Sequence, residues 1–295
     1  MAGVTAAQVK ALRDRTGAGM MDCKKALVEA GGDLDAAVEA MRVSGLAAAD
    51  RKAGRIAAEG VVAVASEGAR GAMVEVNCET DFVAREDDFG TFAGEIARLV
   101  LANDPDGPEA LGALPLDDGT TVDERRRELV ARIGENIAVR RFEVLDAGKG
   151  HVAGYVHIGR IGVLVAVEAG DEPAATGKDI AMHVAASRPL AVSESDLPAD
   201  LVERERAIIE AQAAESGKPA AIMEKIVHGR LRKFASESTL LGQPFVKDPD
   251  VTVAGYLAGR GAEVRGFVRF EVGEGIERKE DDFVSEVMAQ VRKNA

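Results

Sequence analysis

Four histidines, two cysteines and several adjacent acid pairs are the side chains of this 295-residue chain with the most obvious chemistry. Histidine can act as a general base or a metal ligand, and a cysteine thiolate can attack a substrate or bind a soft metal. The spacing argues against both. His151, His157, His183 and His228 form no cluster at ligand spacing, and Cys23 and Cys78 lie far apart. His183 falls on an apolar helical stretch and reads as a satisfied core residue, and the cysteines read as small buried hydrophobes. Asp87-Asp88 and Asp281-Asp282 fit solvated helix starts better than a catalytic dyad. The chain has no phosphate-binding glycine loop ending in Gly-Lys-Ser/Thr, no Gly-x-Ser-x-Gly elbow and no His-Glu-x-x-His. An enzyme is therefore disfavoured.

More telling are apolar residues in polar places. "NCETDFVARED", residues 77–87, follows a run that reads as a buried strand. Asp81 and Phe82 fall in the polar loop where that strand ends, and one of the two must face outward. An exposed aromatic beside a carboxylate makes sense if something outside the molecule receives the pair. Met20-Met21, after a Gly-x-Gly turn, is either a core pair at a helix start or part of a protein-binding surface, a common use of this unbranched, polarisable side chain. His157 lies at the turn of a second strand pair.

The elements around these residues can be drawn from pattern. With 46% hydrophobic residues the chain can bury two or three cores. Residues 1–45 read as a three-helix bundle: Thr5 caps a helix carrying Val9 and Leu12, and Gly17 and Gly19 break it. A second helix runs through Cys23, Ala26 and Leu27 to Gly31-Gly32, and Asp33 caps a third with Ala37, Val38 and Met41 inward. Residues 46–59, rich in alanine and charge, read as a helical linker.

An internal repeat follows. "GARGAMVEV" from Gly68 and "GRIGVLVAV" from Gly159 are offset by 91 residues, and each is the second strand of a hairpin. Each hairpin leads into a helix, and each copy closes with a similar strand, "VRRFEVL" and "FVRFEVG". Aligned through Arg141-Phe142-Glu143-Val144 and Arg269-Phe270-Glu271-Val272, the closing strands are offset by 128, which leaves 37 extra residues in the second copy. The extra chain reads as a projecting helical hairpin, residues 198–236, broken at Gly217-Lys218-Pro219. Leu201, Ile208 and Ala211 line its first helix, and Met223, Val227, Leu231 and Phe234 its second. The expected fold is α+β. A first core unit spans 60–146, and a second spans 147–197 and 237–274 around the hairpin.

Charge and compartment narrow the function. A net charge of −13 and a pI of about 4.9 oppose broad phosphate neutralisation, so direct nucleic-acid binding is not expected. The short basic clusters Lys24-Lys25, Arg125-Arg126-Arg127 and Arg140-Arg141 read as solvated faces. No signal-peptide apolar region opens the chain and no apolar run approaches the ~18 residues of a membrane span, so a reducing, cytoplasmic location is expected.

"LRDRTGAGMMDCKKAL", "EVNCETDFVARE", "IGENIAVRR", "GRIGVLVAV", "DIAMHVAASRP", "LGQPFVKD" and "FVRFEVGEGIERKEDDF" occur in this order along nearly the whole chain. Together they resemble the bacterial elongation factor Ts family. That resemblance implies a guanine-nucleotide exchange factor for elongation factor Tu, which binds the GDP form, releases Mg²⁺ and GDP, and permits GTP reloading. It implies a bundle similar to ubiquitin-associated domains, a core of two duplicated units, an inserted coiled-coil hairpin, and a short helical module at 275–295 holding "KEDDFVSEVMAQVRK". It implies partner contacts by Arg13, Met20 and Met21 from the bundle, by Ile133, Gly134 and His157 from the core, and by Val246 from the second unit. Thr80, Asp81, Phe82 and Val83 match the element that displaces Mg²⁺ from the partner. Val156 stands where some members have glutamine before the turn histidine, which removes a polar contact. The chain itself needs no cofactor, because the nucleotide and metal belong to the partner. The arm is free for self-association, or for contact with the partner or ribosome. The alternative reading is a non-catalytic protein-binding module built on the bundle alone, which leaves most of the chain without a role.

Overall fold

The computed structural model describes residues 4–170, 172–215 and 219–277. The end of the expected C-terminal module, with Asp281-Asp282, and positions 217 and 218 of the expected arm break lie outside them. The N-terminal helices are α1 (Ala6–Thr16), α2 (Met20–Glu29) and α3 (Leu34–Lys52). Thr5 and Gln8 form a reciprocal capping box at α1, and the Asp33 carboxylate accepts the Asp35 and Ala36 N–H groups at α3. Leu12, Cys23, Leu27 and Ala37 close the core between them. Helix α3 passes through residue 45 without a break. The expected linker over 46–59 is therefore helical only to Lys52, as the second half of α3. From residue 45 to Lys52 only Gly45 disfavours a helix, by about 1 kcal/mol, and Gly54 follows just past its end. Gly45 lies so close to the core that a Cβ there would fall 2.9 Å from Ala131 Cβ. Ala49, one turn on, is buried in the core of the first unit.

That unit runs β1 (Glu59–Glu67), β2 (Arg70–Cys78), α4 (Asp81–Ala84), α5 (Asp87–Asn103), α6 (Pro108–Ala113), α7 (Val122–Ile133) and β3 (Ala138–Asp146). The second runs β4 (His151–His157), β5 (Ile161–Glu168), α8 (Pro173–Ser187), a short 3₁₀ turn, α9 (Ala199–Glu215), α10 (Ala220–Ser238), β6 (Pro244–Phe245), β7 (Asp248–Thr252), α11 (Val253–Ala258) and β8 (Glu263–Glu271). The sheets are antiparallel with orders β1-β2-β3 and β4-β5-β8, so the middle strand in each is the second strand of the hairpin. Each sheet buries one face under its own helices. Ala72, Val74 and Val76 meet Phe92 and Ile96 of α5, and Val163, Val165 and Val167 meet Ile180 and Val184 of α8. The other faces pack on each other through Val62, Met73, Leu164 and Phe270. The approach is close enough to require glycine: a Cβ at Gly162 would sit 2.3 Å from Val62 Cγ1 and 2.6 Å from Met73 Sδ. The result is a helix–sheet–sheet–helix stack, with both middle strands buried on both faces.

The register corrects the expected alignment of the closing strands. Glu75 pairs with Arg141 and Ala166 with Gly266, each immediately before a β-bulge. Equivalent residues of β3 and β8 are therefore 125 apart (266 against 141), not 128, and the extra chain is 34 residues (125 against 91). An odd slip exchanges the faces of a strand. Accordingly Phe142 packs under the first unit's helices, as Phe267 does under the second's, whereas Phe270 faces the seam between the sheets with Leu145.

The arm is the pair α9–α10. Its second helix half-buries Met223, Val227, Leu231 and Phe234. In the first, Leu201 is half-buried, but Ile209 and Ala213 are the buried residues, while Ile208 and Ala211 are exposed. Adjacent isoleucines point about 100° apart on a helix, and the four-residue spacing from Ile209 to Ala213 fixes the inward face. Among the described residues no helix is long and apolar enough to cross a membrane.

Candidate functional site

Strand β2 ends at Cys78, and the chain turns sharply. The loop expected here is a single helical turn, α4, capped by Thr80, whose Oγ1 accepts from Val83 N at 3.5 Å. The turn sorts its side chains. Val83 is buried as the anchor, Asp81 is half-exposed and pairs with Arg85 at 2.8 Å, and Phe82 is 78% exposed. The local exposed pair with Arg85 is worth only ~0.3–0.5 kcal/mol, so it leaves Asp81 available.

The turn after α7 lies against this one. Gly134 ends α7 in the left-handed region (φ 92), which swings the next residues onto β2. Glu135 Oε2 accepts from Thr80 N at 2.9 Å and Glu79 N at 3.1 Å, and Glu135 Oε1 accepts from Thr80 Oγ1 at 2.6 Å. In return Asn136 N donates to Glu79 Oε1 at 2.6 Å, and Asn136 Nδ2 donates to Arg55 O at 2.8 Å. Thr80–Val83 and Ile133–Gly134, far apart in sequence, thus form one edge. Ile133 is half-buried and Gly134 exposed.

The β4–β5 hairpin tip reaches the same edge. Val62 N donates to Gly159 O at 2.7 Å, and Arg160 pairs with Glu59, which lies opposite Cys78 in the sheet. His157 is exposed here, its Nδ1 3.0 Å from the Tyr155 hydroxyl. Beside it Ile158 is also 78% exposed and holds φ +46, an uncommon conformation for a β-branched residue. The bundle approaches from the other side: a Cβ at Gly17 would fall 2.9 Å from Arg132 Cδ, one residue before Ile133. Met20 and Met21 open α2 just beyond and are 60% and 75% exposed, which resolves them as surface residues; Arg13 is exposed on α1. A cleft of about 830 Å³ separates the bundle from α5 and α7, lined by charges of both signs and spanned by Arg42–Glu124 at 3.0 Å. Among the described residues no group of three or more His, Cys, Asp and Glu is arranged to hold a metal ion.

Val246 belongs to a different cluster. His183 is fully buried on α8; its Nε2 is 2.9 Å from Gln243 Oε1, and its Nδ1 accepts from Val246 N at 3.2 Å. Burial lowers the His183 pKa, only partly countered by Gln243, so the ring is neutral with its proton on Nε2. Phe245 stacks on Tyr256 (centroids 4.1 Å apart), and Asp179 accepts from Tyr256 Oη and Lys247 Nζ at 2.7 and 2.6 Å. This packing holds the short β6–β7 hairpin and leaves Val246 half-exposed.

A family model described as elongation factor Ts matches residues 79–274, which carry all these segments except the bundle, β1 and β2. The chain is 58% identical over 292 residues to elongation factor Ts of Thioalkalivibrio sulfidiphilus, covering 98% of this chain and 99% of that protein. It is 58% identical over 291 residues to the same factor of Methylococcus capsulatus, and 53% identical over 296 residues to that of Nitrosomonas eutropha, with all of both chains covered in the last. The chain belongs to the elongation factor Ts family. Membership places it among the elongation factors of protein biosynthesis.

The sequence did not single out Glu135 or Ile158. Glu135 lay inside a recognised motif, but its partners are 55 and 56 residues away. Ile158 carried a visible signal, a branched apolar residue next to the turn glycine. The Arg140-Arg141 pair, expected as a solvated face, is instead turned onto buried Glu75 at 3.0 and 2.6 Å.

Proposed function

We propose that this chain is the guanine-nucleotide exchange factor of elongation factor Tu and acts in the cytoplasm, by binding alone, with no chemical step of its own. The observation that carries the reading is the 78% exposure of Phe82 on a short, hydrogen-bonded turn beside Asp81. An exchange factor must bind the nucleotide-free partner better than the nucleotide-bound one, and by linkage the same free energy weakens GDP. Shifting a population from 1:99 to 99:1 takes ~5.5 kcal/mol of differential binding. A rigid aromatic can supply part of this by entering an apolar pocket that opens only as the partner's metal site rearranges. Asp81 acts on that site by electrostatics, and loss of Mg²⁺ strips the diphosphate of its charge partner. Ile133, Gly134 and His157 share the Phe82 edge and extend the contact. Arg13, Met20 and Met21 add the bundle, and Val246 adds a second, separate point. Nucleotide and Mg²⁺ are the partner's, and no direct nucleic-acid contact is required.

The test is release of labelled GDP from elongation factor Tu by the wild-type chain and by Phe82→Ala. Surface changes usually stay within ~0.5 kcal/mol, so the variant melts like wild type. An interface anchor contributes ~2 kcal/mol or more, and its loss slows release about 30-fold if that energy appears in the transition state. Asp81→Ala has a smaller effect, which shrinks when Mg²⁺ is chelated. Unchanged release in Phe82→Ala would end the wedge mechanism.

A further inference from the structure

We propose that Glu135 is a positioning residue for exchange, a carboxylate that aims the Asp81–Phe82 turn without itself touching the partner. The inference rests on the exchange reading above. It begins with the end of a sheet. The β1–β2 ladder stops at Glu59–Cys78 and the β2–β3 ladder at Asn77–Ala138, so the Glu79 and Thr80 N–H groups have no strand to bond. The Glu135 carboxylate takes both, and the Thr80 hydroxyl as well. Hydrogen bonds to an ionised acceptor are shorter and roughly twice as strong as neutral ones. Three donors on two adjacent residues fix both the backbone and the side chain of Thr80.

Thr80 is also the N-cap of α4, so fixing it fixes the origin of the turn that carries Phe82. Glu135 is itself held: Gly134 caps α7 through its N–H to Val130 O at 2.9 Å, and Asn136 N is bound to Glu79 Oε1. Two reciprocal carboxylate–amide contacts therefore lock the turn after α7 to the turn after β2. The consequence is preorganisation. Phe82 is presented without the ordering cost that a mobile loop pays on binding. With all three donors on its two oxygens, the Glu135 carboxylate is engaged within the chain.

The experiment uses the full chain with Glu135→Ala and the isosteric Glu135→Gln, each alone and with Asp81→Ala/Phe82→Ala. Three quantities are read: amide hydrogen exchange at Glu79 and Thr80 in the free protein, melting temperature, and kcat/KM for GDP release from elongation factor Tu. In Glu135→Ala the two amides exchange at least about tenfold faster, as expected when a local opening replaces a bonded state. GDP release falls about tenfold, less than the ~100-fold that a full ångström of misplacement costs. Glu135→Gln, which keeps one acceptor oxygen, falls between. In the Asp81→Ala/Phe82→Ala background the loss of Glu135 changes release less than about twofold, because a residue acting through that turn has nothing left to aim. An equal loss in both backgrounds would assign Glu135 to general stability and overturn the proposal. So would protected amides at Glu79 and Thr80 in Glu135→Ala, whatever the release assay gives. A wild-type chain that releases no GDP overturns the exchange reading instead, and the amide measurement still decides whether Glu135 braces the turn.

Discussion

Glu75 in the first unit and Ala166 in the second stand 91 residues apart at equivalent places, each just before the bulge of a buried middle strand. Both side chains turn to the seam between the sheets and both are buried. Ala166 packs there among apolar neighbours. Glu75 accepts from Arg140, Arg141, Asn77 and the Gly273 N–H, while Arg140 also donates to Glu274 O. The first unit therefore uses its middle strand to hold the chain leaving the second unit by hydrogen bonds, a role that the apolar Ala166 side chain cannot fill. The strand ends diverge in the same way. After β5, Gly170 packs tightly against the turn before β8, where an added Cβ would lie 3.0 Å from Ala262 Cβ. After β2 the chain turns outward and presents Phe82. One strand end of the repeat is closed, and its twin leaves an aromatic side chain exposed.

The largest effect expected from this comparison comes from making the second unit resemble the first. Ala166→Glu buries a carboxylate where no arginine pair is in place. An uncompensated buried charge costs ~3–5 kcal/mol, and with ~2–4 °C per kcal/mol in a chain of this size class the melting temperature falls on the order of 10 °C. Glu75→Ala removes a charge instead. Its arginines are partly exposed and can rehydrate, so the loss is smaller, about 1–3 kcal/mol. Thermal unfolding of the two variants checks the order. If Ala166→Glu is the milder change, the two positions do not differ in the way described.

Much of this architecture was legible. The hairpins announced themselves through a glycine turn and a continuous apolar second strand, the bundle through Thr5, the Gly17–Gly19 break and Asp33, and His183 through its apolar helix. The register of β3 and β8 was not legible, because "RFEV" recurs in both strands and an apolar residue is available to either face after a three-residue slip. Seam packing, with Leu145 matching Phe270, decides it. Glu75 had a readable signal, a lone acid between Val74 and Val76 in a buried run, but its arginines lie 65 and 66 residues away. The β6–β7 hairpin and α11 are too short to show periodicity. At the candidate site Phe82 was legible as an anomaly of type and place. Its brace was not, since a glutamate after a helix-ending glycine carries no mark of what it will bind.

Acid should separate the units by a smaller amount. Burial raises the Glu75 pKa, but Gly273, Arg140, Arg141 and Asn77 outweigh it, and the net shift is downward from 4.5. Stability from this site is present above the unfolded value of 4.5 and is lost as pH falls through the lower folded value. His183 is also lowered, from 6.5, by burial, so its neutral form contributes stability above 6.5 that declines as pH falls below that value toward the folded one. The second unit therefore softens first. Protonated Nδ1 can no longer accept from Val246 N, so exchange at that amide should rise relative to amides of β2 as pH falls from about 7 to 5. Equal pH dependence at the two places would remove His183 as the cause.

The smallest effect concerns the hairpin turns. In the first unit β1 and β2 pair through Glu67–Arg70 across two residues, Gly68 and Ala69. In the second, His157 pairs with Ile161 across three, and Ile158 takes φ +46. A left-handed conformation costs a residue with a Cβ roughly 1–2 kcal/mol. Ile158→Gly relieves that strain but adds unfolded-state freedom worth about 0.4–1 kcal/mol, so the net change is a stabilisation of ~1 kcal/mol or less. Ile158→Ala keeps the strain and shortens an exposed side chain, so it leaves stability nearly unchanged. Denaturant midpoints at constant m-value measure both. A lower midpoint for Ile158→Gly would mean that the isoleucine stabilises the free protein by packing, and that its strain is not held for contact with a partner. If the midpoint rises while GDP release slows in both variants, the turn that is longer in the second unit is a contact that the first unit's turn does not duplicate.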